Sequence, residues 1–151
     1  NPEQYSMSLN STNAEGQYVN DFNSTAPTST HFTVGPGNST NQNDVTYIAL
    51  LFASTDVSKV GYYTGDGNNE SVTTGFQPRF ILIRSSSNAE DWFVFDSLRG
   101  LVSSSADPYL RINTSASQVT TASFFDISST GFTVTANFTN NGHDYIYYAH
   151  A

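Results

Sequence analysis

The sequence predicts an all-β protein, built as an antiparallel, jelly-roll-like β-sandwich. Short apolar alternations recur along the chain and are separated by Gly, Asn, Ser and Pro, the pattern of sandwiches and barrels. Aromatic residues form 14% of the chain, with 11 Phe and 9 Tyr, and such side chains favour sheets. No segment holds a helical period over about ten residues or more. An all-β fold is therefore favoured over a helical or mixed one.

Each predicted strand is an apolar alternation that ends at turn residues. Residues 80–83 and 92–95 are apolar at odd-numbered and even-numbered positions alike, which indicates strands that are central in a sheet or buried on both faces. We expect residues 79–96 to form a hairpin with a long tip at 85–91. The final strand must pair within a sheet to avoid fraying, so it is predicted to close its module. The predicted strands are 5–9, 30–34, 45–53, 58–63, 70–74, 79–84, 92–96, 109–112, 121–126, 131–137 and 144–150.

The chain contains an internal repeat with a period of about one hundred residues. Residues 130–134, an Asn/Thr-rich loop and residues 144–151 follow the same order as residues 30–34, a polar loop and residues 44–53. A period this long indicates a domain duplication, because solenoid repeats run over roughly 20–50 residues. In this alignment Phe52 corresponds to His150, and the upstream segments 5–12 and 108–115 also match.

The repeat predicts two parts of unequal completeness. Residues 1–54 are interpreted as the back half of a first module, and residues 55–151 as a complete second module. Residues 57–107 have no counterpart ahead of the first copy, so we expect a fragment of a longer protein or a processed subunit. An unfinished half exposes sheet edges, and we expect it to pack on the full module or to be completed by a neighbouring subunit through strand addition.

Charge and composition exclude several classes of function. A net charge of −8, from 13 acidic and 5 basic residues, argues against nucleic-acid binding and against anionic membrane surfaces. There is no run of about 18 apolar residues, so membrane insertion is not expected. The chain has no Cys, which excludes disulfides and thiolate metal sites. Its polarity comes from Ser, Thr and Asn rather than from charge, as in many exposed extracellular or virion proteins.

Candidate catalytic residues form no convincing constellation. The His residues, His31, His143 and His150, share no metal-ligand spacing. The best carboxylate pair for a glycosidase is Asp91 and Asp96, which lie at the two ends of a predicted strand. One position is odd-numbered and the other even-numbered, so their side chains are expected to point to opposite faces of the sheet. No nucleophile elbow and no phosphate-binding loop occurs. We therefore predict that the chain is not an enzyme and has no catalytic, cofactor-binding or metal-binding residues.

Three weaker possibilities stay open at this point. Asp66, Asn68 and Glu70 offer oxygens at alternate positions, a faint calcium-loop pattern, although a tight hairpin turn explains the same residues. Tyrosines near loops are candidates for stacking on sugar rings, and they are Tyr62, Tyr63 and Tyr109. The sequons for N-glycosylation lie at Asn10, Asn23, Asn38, Asn69, Asn113 and Asn137.

Three segments taken together resemble a known module. They are residues 61–67, with the letters GYYTGDG, residues 74–84, with TGFQPRFILIR, and residues 91–100, with DWFVFDSLRG. The set is similar to a repeated module in tail-fibre-like and other virion appendage proteins of marine and environmental tailed phages. The likeness runs from Gly61 to Ala151, and residues 5–53 match the back half of a preceding copy. Arg84 stands where Lys is commoner in that module.

The resemblance implies an all-β structural or host-contact role and carries over no catalytic residue. We expect a non-enzymatic, oligomeric structural subunit of an extracellular assembly, in particular a phage tail-fibre or virion appendage or decoration protein. The expected location is the virion or an extracellular surface, and the expected partners are further copies of this chain, other fibre proteins or a host surface glycan. The alternatives are a carbohydrate- or receptor-binding adhesive module and a subunit of a cellular surface filament. No cofactor is expected.

Overall fold

The computed structural model describes residues 2–102, 106–135 and 138–151. The predicted sequon at Asn137 and the last two residues of predicted strand 131–137 lie outside the described residues. The chain divides into two compact units. The first takes in the residues up to Ser8 together with Glu15–Leu51, and the second consists of Leu9–Ala14 and Phe52–Ala151.

The first unit contains little regular structure. A 3-10 turn at Pro2–Gln4 leads into β1 (Tyr5–Ser6), which pairs antiparallel with β2 (Gly16–Gln17), and a single helical turn, α1, spans Asn38–Asn41. The buried Asp21 organises the loops between them. Its carboxylate accepts from the Ser6 hydroxyl at 3.1 Å, and its carbonyl accepts from the Thr40 hydroxyl at 2.8 Å. Polar hydrogen bonds, rather than an apolar core, therefore hold these loops.

The second unit is a sandwich of two antiparallel sheets. The strands in chain order are β3 (Ser58–Thr64), β4 (Glu70–Thr73), β5 (Phe80–Ser85), β6 (Phe93–Asp96), β7 (Tyr109–Arg111), β8 (Phe125–Ser128), β9 (Gly131–Val134) and β10 (Asp144–His150). One sheet has the order β3-β10-β5-β6-β7, and the other has the order β4-β9-β8. The first strand of the unit pairs with its last and the second with its seventh, which is the nested arrangement of a jelly roll. The predicted all-β, antiparallel sandwich is confirmed.

Aromatic rings fill the space between the two sheets. Phe95 from the five-stranded sheet is fully buried and meets Phe125 from the three-stranded sheet with ring centroids 4.8 Å apart. Tyr147 and Phe132 make a similar edge-to-face contact at 5.5 Å. Edge-to-face geometry places the positive rim of one ring against the negative face of another, which adds to the burial energy. One continuous core therefore joins both sheets.

Strand β10 shows how alternation in the sequence becomes burial. Tyr145, Tyr147 and Ala149 point into the core, while the residues between them are more exposed. The strand lies between β3 and β5, so both of its edges are hydrogen-bonded. The prediction that the module closes on its C-terminal strand is confirmed. The predicted hairpin over 79–96 is confirmed as well, because β5 pairs with β6.

The outer face of the five-stranded sheet is also apolar. The strand registers place one lateral row across all five strands, and its members are Val60, Tyr148, Leu82, Val94 and Leu110. Val94 is only 8% exposed, whereas Val60 at the edge is 44% exposed. This row explains why β5 and β6 are apolar on both parities in the sequence.

Two predicted strands are wrong. Residues 30–34 and 45–53 form no strand, although their counterparts in the second copy are β9 and β10. A strand is stabilised by its neighbours more than by its own residues, and neither segment pairs with another strand in the described part of the chain. The predicted strand 5–9 is shortened to Tyr5–Ser6, and the one at 121–126 is displaced to Phe125–Ser128.

The turn at 66–69 is not a hairpin turn, contrary to the sequence interpretation. Strands β3 and β4 flank it but belong to different sheets, so it is a crossover between the two layers. Local turn chemistry is present all the same. Gly67 has φ +87°, and the Asp66 carboxylate accepts the backbone N–H of Asn68 at 2.8 Å. Turn residues in a sequence mark the reversal of the chain but not the sheet that the chain enters next.

Candidate interaction surface

Residues 48–51 form an exposed apolar segment, which we call the free segment. Ile48 is 90% exposed, Leu50 76% and Leu51 75%. Within the described part of the chain, no backbone hydrogen bond involves these four residues. Backbone N–H and C=O groups together with large apolar side chains are therefore presented to solvent. Such a segment has the chemistry of a strand without a neighbour.

The residues before the free segment are fixed within the first unit. The Tyr47 hydroxyl donates to the carbonyl of Asn38 at 2.7 Å and accepts the backbone N–H of Gln42 at 3.0 Å. The Val45 N–H donates to the Gln42 carbonyl at 3.3 Å. These contacts hold the residues just before the free segment against α1 and the turn that follows it. The free segment therefore begins directly after the anchored Tyr47.

The second exposed element is the outer edge of β3. This strand is at one end of the five-stranded sheet, and β10 is its one strand neighbour among the described residues. The Gly65 N–H donates to the His143 carbonyl at 2.8 Å, and the Ala151 N–H donates to the Val57 carbonyl at 3.0 Å. In an antiparallel ladder, every second residue of a strand hydrogen-bonds to the same neighbour. Because Val57 and Gly65 both bond to residues beside β10, the odd-numbered residues of β3 bond to β10. The even-numbered residues direct their N–H and C=O groups to the outer edge.

The chain covers only the first half of this edge. The Thr55 N–H donates to the Ser58 carbonyl at 2.7 Å, and the Ser54 hydroxyl accepts the N–H of Val60 at 3.2 Å. Tyr62 and Thr64 make no such edge contact among the described residues. The Tyr62 side chain is also 82% exposed. We call the backbone groups of Tyr62 and Thr64 the open edge.

A buried cation lies elsewhere on the same sheet. Arg84 is fully buried and ends on main-chain oxygens rather than on a carboxylate. Its guanidinium donates to the carbonyls of Ser85 at 3.1 Å, Ser11 at 3.0 Å, Thr12 at 2.9 Å and Asn13. Burial lowers the pKa of this guanidinium from its usual value, although the charges of Glu90 and Asp91 oppose the change. The role of Arg84 is thus to hold residues 11–13 within the second unit.

A polar network lies beside Arg84. The guanidinium carbon of Arg84 is 5.2 Å from the ring centroid of Trp92, a cation–π contact. The backbone N–H of Trp92 donates to the side-chain oxygen of Asn113 at 3.0 Å, and the Asn113 side-chain amide donates to Asp91 at 2.9 Å. Asp91 also forms an ion pair with Arg111 at 2.8 Å. Asp91 therefore links Asn113 to Arg111 in one polar brace.

The two carboxylates weighed for glycosidase chemistry each have a cationic partner. Asp91 pairs with Arg111, and Asp96 pairs with Arg99 in the turn after β6. Each carboxylate is therefore engaged by a different guanidinium, and the two ion pairs are separate. Burial raises the pKa of Glu90, and the nearby charge of Asp91 acts in the same direction.

The histidines do not converge. His31 is exposed and bonded to the Thr28 hydroxyl at 2.9 Å, whereas His150 contacts the Val57 carbonyl. His143 stacks on Tyr145 with ring centroids 6.4 Å apart. No group of three or more His, Cys, Asp or Glu residues that could hold a metal ion occurs in the part of the chain that the structure describes.

The tyrosines proposed for sugar stacking separate into two classes. Tyr62 is exposed, but Tyr63 is 8% and Tyr109 7% exposed, so neither is a surface platform. The Tyr63 hydroxyl donates to the Phe138 carbonyl at 2.9 Å, and burial raises its pKa well above the usual value. Among the sequons, Asn113 uses both side-chain atoms in the network described above, whereas four others are exposed: Asn10, Asn23, Asn38 and Asn69.

Sequence reasoning missed two features, the exposure of the free segment and the carbonyl contacts of Arg84. The exposure of residues 48–51 was hidden because their alternation looks like a buried strand. The carbonyl oxygens around the Arg84 guanidinium, which we call the Arg84 cage, come mainly from residues 11–13. Backbone carbonyls are present in every residue type, so the sequence does not mark them. The apolar run directly before Arg84 in β5, residues 80–83, was the available hint, since a buried Arg needs a dense set of acceptors.

The fold and the surface define a class of protein: a charge-poor, all-β sandwich with an exposed strand-like segment and an open sheet edge. The chain belongs to the DUF7483 family, a domain of unknown function whose model matches residues 1–151. No curated protein and no solved structure matches this chain significantly. No helix in the described ranges is long and apolar enough to cross a membrane.

Proposed function

We propose that this protein is a non-enzymatic structural subunit of an extracellular assembly, in particular a tail-fibre or virion appendage protein of a tailed phage. The observation that carries the proposal is the free segment, because a monomer gains nothing from three largely exposed aliphatic side chains on an unpaired backbone. The resemblance of segments 61–67, 74–84 and 91–100 to the phage module supports the virion setting.

Two features support a structural role over an enzymatic one. Asp91 and Asp96 each form an ion pair with a different arginine, an arrangement that suits two local braces better than an acid–base pair. The Ser-, Thr- and Asn-rich surface gives solubility without much charge, since charged residues form only 12% of the chain. Few charged side chains therefore need to be desolvated when copies come into contact.

The proposal is tested by electron microscopy combined with an activity screen. Purified 1–151 is imaged by negative stain across a concentration series and incubated with a panel of surface polysaccharides. We expect ordered oligomers or filaments and no release of reducing sugar. A protein that stays monomeric at every concentration and hydrolyses a polysaccharide would contradict the proposal.

A second candidate function is glycan or receptor binding, and the exposed Tyr62 favours it. A glycan array with wild type and Tyr62→Ala tests this function. Tyr18→Ala is the matched control, because Tyr18 is 55% exposed and lies in the first unit. Binding that is lost in Tyr62→Ala alone supports the adhesive function, and an array without any signal removes it.

A further inference from the structure

We propose that the free segment, residues 48–51, of one chain adds as a β-strand to the open edge of β3 in a second copy of this chain. The inference rests on the proposed function and names the partner and the contact by which the assembly forms. Its starting point is that one chain carries both an unpaired strand-like segment and an unpaired strand edge.

The hydrogen-bonding groups of the two elements are complementary. The free segment leaves its backbone N–H and C=O groups without a partner in the described part of the chain. Tyr62 and Thr64 direct theirs away from β10, at a spacing of two residues. A four-residue segment is long enough to engage both. Ser54 and Thr55 already occupy the remainder of the edge, so they limit the added strand to this end of β3.

The side chains of the free segment resemble those of a strand that already pairs with β3. In the internal repeat the segment corresponds to part of β10, with Ile48 matching Ile146 and Leu50 matching Tyr148. Strand β10 is the natural neighbour of β3, which already pairs with it along its inner edge. A segment with the β10 pattern therefore has residue types suited to lie against β3. The inner edge is occupied, which leaves the outer edge.

Exposure and charge favour a contact between two copies. Strand addition would cover side chains that are now largely exposed, namely Ile48, Leu50 and Tyr62. Neither the free segment nor the open edge carries a charge. The net charge of −8 on each copy repels at long range, so salt should strengthen the association.

Site-directed cross-linking tests the contact, because the natural chain has no Cys. A Leu50→Cys chain is mixed with a Tyr62→Cys chain under mild oxidation. The matched control mixes Leu50→Cys with Ser115→Cys, whose residue is equally on the surface. We expect the first heterodimer to form about tenfold faster than the second, because pairing raises the local thiol concentration. Equal rates for the two mixtures overturn the proposal.

Mass measurement by light scattering gives the second test. Ile48→Asp with Leu50→Asp should weaken association by about tenfold or more, since a carboxylate cannot be buried at the contact. Ser115→Asp with Ser117→Asp adds the same charge elsewhere and should leave association unchanged. Far-UV circular dichroism verifies that all variants are folded.

The outcomes separate the two proposals. If ordered assemblies form equally well with and without the two substitutions in the free segment, strand addition is wrong while the structural function stands. If wild type is monomeric in high salt and hydrolyses polysaccharide, the structural function itself fails, and strand addition fails with it.

Discussion

The guanidinium of Arg84 donates to the carbonyl oxygen of Ser11 over 3.0 Å, although the two residues are 73 positions apart in the chain. Arg84 belongs to β5, in the middle of the five-stranded sheet, and Ser11 lies in a loop without regular structure. This bond and its neighbours explain why Leu9–Ala14 belongs to the second unit while the residues on either side belong to the first.

Arg84→Lys should destabilise the protein by about 1.5–3 kcal/mol, because a single ammonium cannot reach the four carbonyls that the planar guanidinium serves. Urea unfolding measures the change, and hydrogen exchange of residues 11–13 should accelerate. Arg79→Lys is the control, since Arg79 is exposed and should change stability by less than about 0.5 kcal/mol. Equal effects of the two substitutions would show that the cage contributes nothing.

Asp107 should make stability fall as pH rises. Its Oδ2 accepts the N–H groups of Phe124 and Phe125, while its Oδ1 is buried without a hydrogen-bond partner among the described residues. Burial raises the pKa of this carboxyl, and the charge of Asp126 acts in the same direction. The folded state therefore binds the proton more tightly than the unfolded state does. The stability from this group is fully present below the unfolded pKa of about 4 and is lost as pH rises through the folded pKa.

Asp107→Asn tests this dependence. Asn keeps an acceptor for the two N–H groups but cannot ionise, so the stability of the variant relative to wild type should increase as the pH rises from acid to neutral. Asp56→Asn, at an exposed position, is the control. Thermal melts over this pH range measure both. A parallel pH dependence of Asp107→Asn and wild type would contradict the assignment.

Phe95 should be among the costliest core positions to truncate. Its ring contacts Phe124, Phe125 and Phe138, so it joins the two sheets. Phe95→Ala should cost about 3–5 kcal/mol, because it leaves a cavity between rigid strands. Phe32→Ala, at a residue that is 39% exposed, should cost less than about 1 kcal/mol. Chemical denaturation measures the free energy of unfolding of both variants. A small decrease in this free energy for Phe95→Ala would contradict the prediction and indicate a core that can collapse around the cavity.

Gly131 should not tolerate a side chain. A Cβ at this position would lie 2.1 Å from the backbone oxygen of Val72 in the neighbouring strand, so β4 and β9 would have to separate. Gly131→Ala should therefore cost more than about 2 kcal/mol or prevent folding. Gly142→Ala is the comparison. Its φ of +75° imposes only a backbone penalty of about 1–2 kcal/mol, since no atom lies within 4 Å. Expression yield and melting temperature rank the two variants.

The sequence by itself determined the fold class, most strands of the second unit and the hairpin at 79–96, because alternation and turn residues are local signals. It also indicated that β5 and β6 are central, since each strand is apolar at odd-numbered and even-numbered positions alike. Residues 45–53 carry the same local signal as β10, yet only β10 is a strand.

Tertiary structure decided that difference, as well as the crossover after β3 and the cage around Arg84. The physical reason is common to the three cases. Strand pairing, sheet assignment and burial of a cation depend on groups far away in the chain, and a local pattern contains no information about which partner is available. Whether residues 48–51 find such a partner is therefore a question about the assembled protein rather than about their own sequence.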